Sequence, residues 1–155
     1  MRKLLFSLVL FFGAASLYAQ SIEGVWRTVD DATGESKSHV QLYVANGKLY
    51  GKIIKTLRPN AKTTCEKCPG DKKGKPIVGL IILENMYLKD GYWQGGTILD
   101  PEKGKVYSCK LWLKAGDSNV LELRGSIGPF YRTQNWHRVV SEAAPGGINP
   151  PVGHD

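Results

Sequence analysis

The feature that most constrains this chain is an alternation of apolar and polar residues with a period of two. The alternation runs through residues 39–44, stops at Asn46-Gly47 and resumes through residues 49–53. Successive side chains of a β-strand point to opposite faces, so this period is typical of strands that are buried on one side. Asn-Gly readily adopts the positive φ values of a two-residue turn. The pattern therefore predicts an antiparallel hairpin.

The same period recurs in the second half of the chain, where apolar or small residues occupy every second position of 107–113 and 121–127. Turn-forming residues separate the alternating runs at Asp90-Gly91, at Gly104 and over 115–119. Because no run of this kind exceeds the usual length of a strand, the pattern predicts a series of antiparallel strands joined by short turns.

A continuous apolar run occupies residues 77–83, with Gly79 near its middle. Such a run is compatible with a buried helix or a buried strand. Its β-branched Ile and Val residues favour a strand, in which Gly79 would mark a bend or a bulge.

Residues 22–139 have room for about eight to ten strands, and no stretch within this range has the apolar period of an amphipathic helix. Closing such a ribbon into a barrel hides its edge strands, and a two-sheet sandwich is the alternative. Gly51, Gly79 and Gly125 fall at predicted inward positions, where glycine suits the bends of a barrel. We therefore predict an all-β domain over residues 20–140, a single closed antiparallel up-and-down β-barrel.

The two ends of the chain differ from this body. A basic start precedes an apolar run over residues 4–17, and Ala19 provides a small residue for cleavage, which predicts a secretory signal peptide over residues 1–19. An uncleaved anchor is the alternative, but the run is shorter than the roughly 18 to 20 residues that span a bilayer. Residues 141–155, rich in Pro and Gly, predict a flexible tail. The protein is expected to be periplasmic or secreted.

Charge says little about partners. The chain has 21 Lys and Arg against 14 Asp and Glu, and two of the basic residues lie in the predicted signal peptide. This dispersed excess is too small to indicate nucleic acid. The lysine-rich residues 62–75 could contact an anionic envelope surface, although a charged loop is more often simply solvated. The sequence leaves the oligomeric state open.

The three cysteines predict one local disulfide. Cys65 and Cys68 are close in a polar loop, a spacing that permits a bond in an oxidising compartment. Cys109 alternates onto an apolar face and is predicted to be a buried free thiol, with a link to Cys65 or Cys68 as the alternative. The loop lacks the following helix of a thioredoxin-like redox centre. No second Cys or His pair completes a zinc site, so we predict neither a metal nor a cofactor.

The last predicted strand has an unusual pattern, because Arg132, Gln134 and Trp136 fall on one face together with Arg138. If Trp136 points inward, the guanidinium of Arg132 enters the barrel and needs a carboxylate, phosphate or carbonyl partner. Arg132, Gln134 and Trp136 are therefore candidate ligand-binding residues, and the arginine favours an anionic group on the ligand.

Several short motifs occur in order along the chain: Gly24-Val25-Trp26, Tyr50-Gly51-Lys52-Ile53, residues 78–80, 96–107 and 123–128, and Arg132-Thr133-Gln134-Asn135-Trp136. Over about residues 24–139 this set resembles the secreted bacterial family known as domain of unknown function 2147. The resemblance implies a lipocalin-like barrel without an established activity. It also implies that Trp26 on the first strand stacks with Arg138 near the last and locks barrel closure. Trp26 is in addition a candidate for ligand binding.

These observations predict a non-catalytic binding module whose barrel holds a small, partly apolar ligand with an anionic end. The alternative is an envelope interaction protein with a filled barrel, whose outer surface contacts lipid head groups or another protein. An enzyme would need titratable groups that converge in a cleft, and the chain has no complete catalytic motif, so we predict no catalytic residues.

Overall fold

The computed structural model describes residues 21–140; the predicted signal peptide (1–19) and the predicted tail (141–155) lie outside the described residues. Residues 21–140 form eight strands: β1 (Gly24–Val29), β2 (Ser36–Ala45), β3 (Lys48–Thr56), β4 (Ile81–Lys89), β5 (Tyr92–Asp100), β6 (Lys105–Lys114), β7 (Asp117–Ile127) and β8 (Phe130–Arg138). Each strand pairs antiparallel with the next, and β1 pairs with β8. The prediction of an all-β, closed up-and-down barrel is therefore confirmed.

The turn between β2 and β3 follows the predicted chemistry. Asn46 and Gly47 have φ values of 50° and 72°, so both occupy the left-handed region that a tight turn of this kind requires. The turn sets the register that places Val40 opposite Ile53 and Leu42 opposite Gly51.

The prediction of a strand over residues 77–83 is wrong in its first half. Strand β4 begins at Ile81, and Gly79 lies in a turn with a φ of 95°. The turn is pinned to β3, because the N–H of Gly79 donates to the carbonyl of Ile53 (2.7 Å) and the N–H of Ile53 donates to Leu80 (3.0 Å). Because Gly79 precedes β4 and lies in this turn, it occupies none of the inward barrel positions.

Helical structure in the described part of the chain amounts to a 3₁₀ turn, Gly70–Lys72, in the connection between β3 and β4. Over residues 21–140 no helix reaches the length and apolar character needed to cross a membrane.

The barrel interior has two halves. The packed half lies toward the β2–β3, β4–β5 and β6–β7 turns, and the open half lies toward the other four connections. The packed half is filled by large apolar side chains that are 0–1% exposed: Trp26, Val40, Leu42, Leu49, Leu83, Met86, Leu111 and Leu121. None of these side chains lines the cavity of the open half. Interdigitated packing of this kind makes the packed half the main hydrophobic core.

Candidate functional site

The open half of the barrel contains a cavity of about 540 Å³. Its deeper wall is apolar and consists of inward side chains from several strands, among them Ile53, Ile82, Ile98, Leu123 and Trp136. Alternation along the strands brings Ile53, Ile98, Leu123 and Trp136 to the inner face, and the side chains of the packed half close the cavity below. The volume lies within the range of about 300 to 1,000 Å³ that is common for small-molecule sites.

The connection between β3 and β4, residues 57–80, forms a lid beside the mouth of the cavity. Its two arms are joined by a bridge between Thr64 and Pro76, and the N–H of Cys65 donates to the carbonyl of Lys75 (2.8 Å). Lys67 packs so closely on Gly104, in the β5–β6 turn, that a Cβ there would collide with the Lys67 carbonyl. The lid therefore rests on the neighbouring turn.

The cysteines lie in the predicted arrangement. Cys65 and Cys68 form a disulfide in the lid, with their Cα atoms 5.4 Å apart, and Cys109 is free and buried on β6. Burial away from water raises the pKa of the Cys109 thiol to about 12, so this thiol stays protonated at physiological pH. It does not line the cavity.

A network of ion pairs ties the lid to the rim through Arg58. Its Nη2 lies 2.7 Å from Asp30 in the β1–β2 connection and its Nη1 lies 2.9 Å from Glu102 in the β5–β6 turn. Glu102 also pairs with Lys37 of β2 at 2.6 Å. Hydrogen bonds from Arg58, and then from the backbone N–H groups of Ala32 and Thr33, lower the pKa of Asp30 to about 2.

Sequence reasoning missed Arg58. Its carboxylate partners are 28 and 44 residues away in the chain, so no local spacing reveals them. The isolated position of an arginine two residues after the end of an alternating run would have been a weak signal at best. The contact depends on barrel closure, which brings the connections at one end together.

Arg132 and Gln134 line the cavity, but the prediction of a buried Arg132 guanidinium is wrong, because its side chain is 58% exposed at the rim. The reason is that Arg132 is near the outer end of β8. Its partner is of the expected kind: a carboxylate oxygen of Asp31 forms an ion pair with Arg132 Nε (2.7 Å) and accepts a hydrogen bond from Gln134 Nε2 (2.6 Å).

The same contact spans the seam between β1 and β8. Backbone pairing between these strands consists of Trp26 with Arg138 and Arg27 with His137, which lie at the packed half. Toward the mouth, the carboxylate of Asp31 links the β1–β2 connection to β8 through side chains. The barrel wall is therefore weaker in hydrogen bonds here than between its other strands.

Trp136 lines the cavity and is 2% exposed. Its indole N–H is buried and has no hydrogen-bond partner among the described residues. An unpaired buried donor costs about 1 to 3 kcal/mol, so an acceptor that reached this group would recover that free energy.

The structure corrects the prediction that Trp26 contacts the ligand. Trp26 is completely buried in the packed half, does not line the cavity, and donates its indole N–H to the carbonyl of Ile22 (2.9 Å). The guanidinium of Arg138 lies 4.2 Å from the centre of its ring, in the stacked arrangement that the sequence analysis expected for closure.

Arg138 is held by carbonyl groups rather than by a carboxylate. Its Nη1 donates to Glu23 (3.0 Å) and its Nη2 donates to Ser21 (2.8 Å). Partial burial lowers the pKa of Arg138, yet its guanidinium remains charged because the ordinary pKa of arginine is far above physiological pH. The contact fastens the start of the barrel to its last strand.

The charges around the cavity are mixed, with a basic excess. Cavity-lining residues include six basic side chains, Lys37, Arg58, Lys62, Lys67, Lys103 and Arg132, and three acidic ones, Glu66, Asp100 and Glu102. Within residues 21–140 no group of three or more His, Cys, Asp or Glu residues is arranged to hold a metal ion. The site therefore combines an apolar floor with a polar rim that is richer in cations than in anions.

Comparisons with known proteins agree with this fold. The model of a bacterial family described as "Uncharacterized protein conserved in bacteria (DUF2147)" matches residues 24–138. Among solved structures, the chain is similar to protein HP1028 from Helicobacter pylori, which is described as a member of the lipocalin family. The two share 20% identity over 79% of this chain and 85% of that one, with a TM-score of 0.67. A search of curated proteins finds no match.

Proposed function

Since this chain belongs to the bacterial family DUF2147, which has no described activity, we propose its function from the cavity: the barrel binds a small, partly apolar molecule with an anionic end. The observation that carries the proposal is an interior cavity of about 540 Å³, with an apolar floor and a rim that is rich in cations. The lipocalin-like fold is compatible with this role, but a fold by itself does not identify a ligand.

The apolar part of the ligand would occupy the floor. Ile53, Ile98 and Leu123 present hydrocarbon to the cavity, and burial of apolar ligand surface against them is favourable by roughly 25 cal/mol per Å². A hydrogen-bond acceptor on this part could pair with the indole N–H of Trp136.

The anionic end would lie at the rim, near Arg132. Asp31 neutralises this arginine in the absence of a ligand. A ligand carboxylate or phosphate can take the place of Asp31 on the guanidinium, or it can use the exposed lysines Lys62 and Lys67. Because acidic residues lie nearby, the site should prefer anionic ligands only moderately. An uncharged analogue should still bind more weakly than the anionic ligand.

We place this function outside the cytoplasm, in the periplasm or the medium. Two features support the location: the predicted signal peptide over residues 1–19, and the Cys65–Cys68 disulfide, which is the kind of bond that persists in an oxidising compartment. The proposed role is carriage or storage rather than catalysis. The alternative of a filled barrel is not supported, because the interior contains a cavity of about 540 Å³.

Two measurements test the proposal. Native mass spectrometry of the purified protein should show a bound small molecule. Fluorescence titration with a long-chain fluorescent carboxylic acid and its methyl ester should show binding of both, with the acid bound more tightly. Arg132→Gln should reduce that preference while the ester is bound as before.

A cavity-filling variant supplies the structural test. Gly125 lines the cavity, and a Cβ at this position would have its nearest neighbour, Tyr107, at an ordinary 3.6 Å. Gly125→Leu should therefore fold and lower the affinity for the acid by about tenfold or more. Ser126→Leu, next along the strand and facing outward, is the control. Unchanged affinity in Gly125→Leu, with an unfolding temperature like that of the control, would refute binding inside the barrel.

A further inference from the structure

The tip of the β7–β8 hairpin exposes an unusual amount of apolar surface. Phe130 is 75% exposed, Tyr131 is 68% exposed and Ile127 is 52% exposed. Single exposed apolar residues are common on protein surfaces, but a cluster on one projecting turn is typical of a contact surface. The cluster lies at the open half of the barrel, beside the mouth of the cavity.

The apolar tip continues the inner face of the barrel. Ile127 pairs with Phe130 across the hairpin, and by strand alternation Phe130 shares a face with Arg132, Gln134 and Trp136. The latter three line the cavity, whereas Ile127 and Phe130 lie beyond it. An apolar surface therefore extends from the rim of the cavity to the outside.

Tyr131 is on the outer face, where the Arg124 guanidinium lies 4.7 Å from the centre of its ring. The tip thus combines a phenyl ring, a branched aliphatic chain and a tyrosine next to a cation. Aromatic rings with an adjacent positive charge are suited to the head-group region of a bilayer.

The lid, beside the same mouth, carries an excess of positive charge, which would attract an anionic surface. Residues 57–80 contain six basic and two acidic residues. Lys62, Lys67 and Lys73 are exposed, and the ion pairs of the described residues include none of them. These three lysines are therefore available to an external anionic surface.

We propose that the mouth of the barrel docks on an anionic lipid bilayer. The β7–β8 tip inserts Phe130 and Ile127 among the head groups, and the lid lysines contact lipid phosphates. Neither signal alone gives strong binding, but apolar insertion and electrostatic attraction add on one surface. Docking in this orientation turns the cavity toward the membrane. It does not depend on which ligand the cavity holds, since it uses residues outside the cavity floor.

Co-sedimentation with vesicles tests the proposal. The probe is a set of phosphatidylcholine vesicles with and without phosphatidylglycerol, and the protein is that recovered from the periplasmic or culture fraction of an expressing bacterium. We expect binding to the vesicles that contain phosphatidylglycerol and a steep loss of binding at high salt. The double variant Ile127→Ser, Phe130→Ser should weaken the partition coefficient by about tenfold or more.

Matched controls lie at the opposite end of the barrel. Leu88 is 59% exposed near the β4–β5 turn, so Leu88→Ser removes a similar exposed apolar side chain without affecting the mouth. Likewise, Lys62→Gln with Lys73→Gln should weaken binding, whereas Lys48→Gln with Lys89→Gln, two exposed lysines beside the far turns, should do so much less. All variants keep the residues outside 21–140 unchanged, so those residues contribute equally to every measurement of vesicle binding.

Three results would overturn the proposal. The first is the absence of binding to vesicles that contain phosphatidylglycerol. The second is an equal loss in the tip variant and in Leu88→Ser. The third is self-association through the tip, seen in light scattering as a dimer that Phe130→Ser abolishes while vesicle binding stays unchanged. The tip variant changes no cavity-lining residue, so its vesicle binding reports on docking alone. Failure of docking leaves the ligand-binding proposal testable with the fluorescent acid, and failure of ligand binding leaves vesicle docking measurable.

Discussion

Gly51 and Gly125 both occupy inward positions of the barrel, yet their surroundings are opposite. A Cβ on Gly51 would lie 2.9 Å from Leu42 Cδ2 and 2.9 Å from Leu83 Cβ, which is closer than real Cβ contacts come. A Cβ on Gly125 would have its nearest neighbour at 3.6 Å and would face the cavity. The first glycine lets β3 approach its neighbours in the packed half, whereas the second leaves space in the open half.

The two halves are also held together by different kinds of contact. Buried apolar side chains hold the packed half, with Trp26 under Arg138 at its closure. Charged pairs between distant connections hold the open half, with Arg58 joining Asp30 and Glu102. Close packing leaves no room for a ligand, whereas polar contacts at a rim can be exchanged for contacts with one. The division assigns stability to one end and the proposed ligand binding to the other.

The largest expected effect is in the packed half. Trp26→Ala removes a completely buried ring and leaves a cavity, so it should lower the free energy of unfolding by about 3 to 5 kcal/mol. Urea denaturation followed by circular dichroism measures this. Trp112→Ala is the control, because Trp112 is half-buried and packs edge-on against Tyr92 at the outer surface. A loss for Trp112→Ala as large as that for Trp26→Ala would contradict the division into halves.

Substitution of Gly51 should have an intermediate effect on the free energy of unfolding, and the same substitution at Gly125 is its control. Gly51→Ala forces Leu42 and Leu83 apart and should cost about 1 to 3 kcal/mol. Gly125→Ala adds a methyl group next to empty space and should change the free energy of unfolding by less than about 0.5 kcal/mol. Equal effects of the two substitutions, measured by thermal unfolding, would show that the open half is packed after all.

The smallest expected effect is on stability at acid pH, through the carboxylate of Asp30 at the rim. The pKa of Asp30 is about 2 in the folded protein and 3.8 by its ordinary value, so between these pH values the unfolded chain binds more protons. The stabilisation is therefore complete above about pH 4 and is lost as pH falls toward 2. Asp30→Asn should reduce the slope of unfolding temperature against pH in this window.

Asp90→Asn, in the β4–β5 turn of the packed half, is the control for this measurement and should keep the wild-type slope. If Asp30→Asn also keeps that slope, the ion pair between Asp30 and Arg58 contributes nothing to the acid stability of the folded chain.

The sequence predicted which residues of the last strand face the cavity. It did not predict how deep in the barrel an inward side chain lies or which distant side chains it contacts. Strand alternation placed Arg132, Gln134 and Trp136 on one face, and all three line the cavity. It could not show that Trp26, also inward, is sealed in the packed half. The alternation tells which face a side chain occupies, whereas its height along the barrel depends on the tilt and stagger of all the strands.

By itself, the sequence determined the Asn46-Gly47 turn and most of the strands, because a period of two and a turn that needs positive φ are properties of a few neighbouring residues. It favoured a closed barrel over a two-sheet sandwich, and the tertiary structure shows the closure. Only the tertiary structure decided which inward positions are filled and which surround space. It also decided that Arg58 meets Asp30 and Glu102. Packing and ion pairing depend on residues that are distant in the chain, and closure of the barrel brings them together.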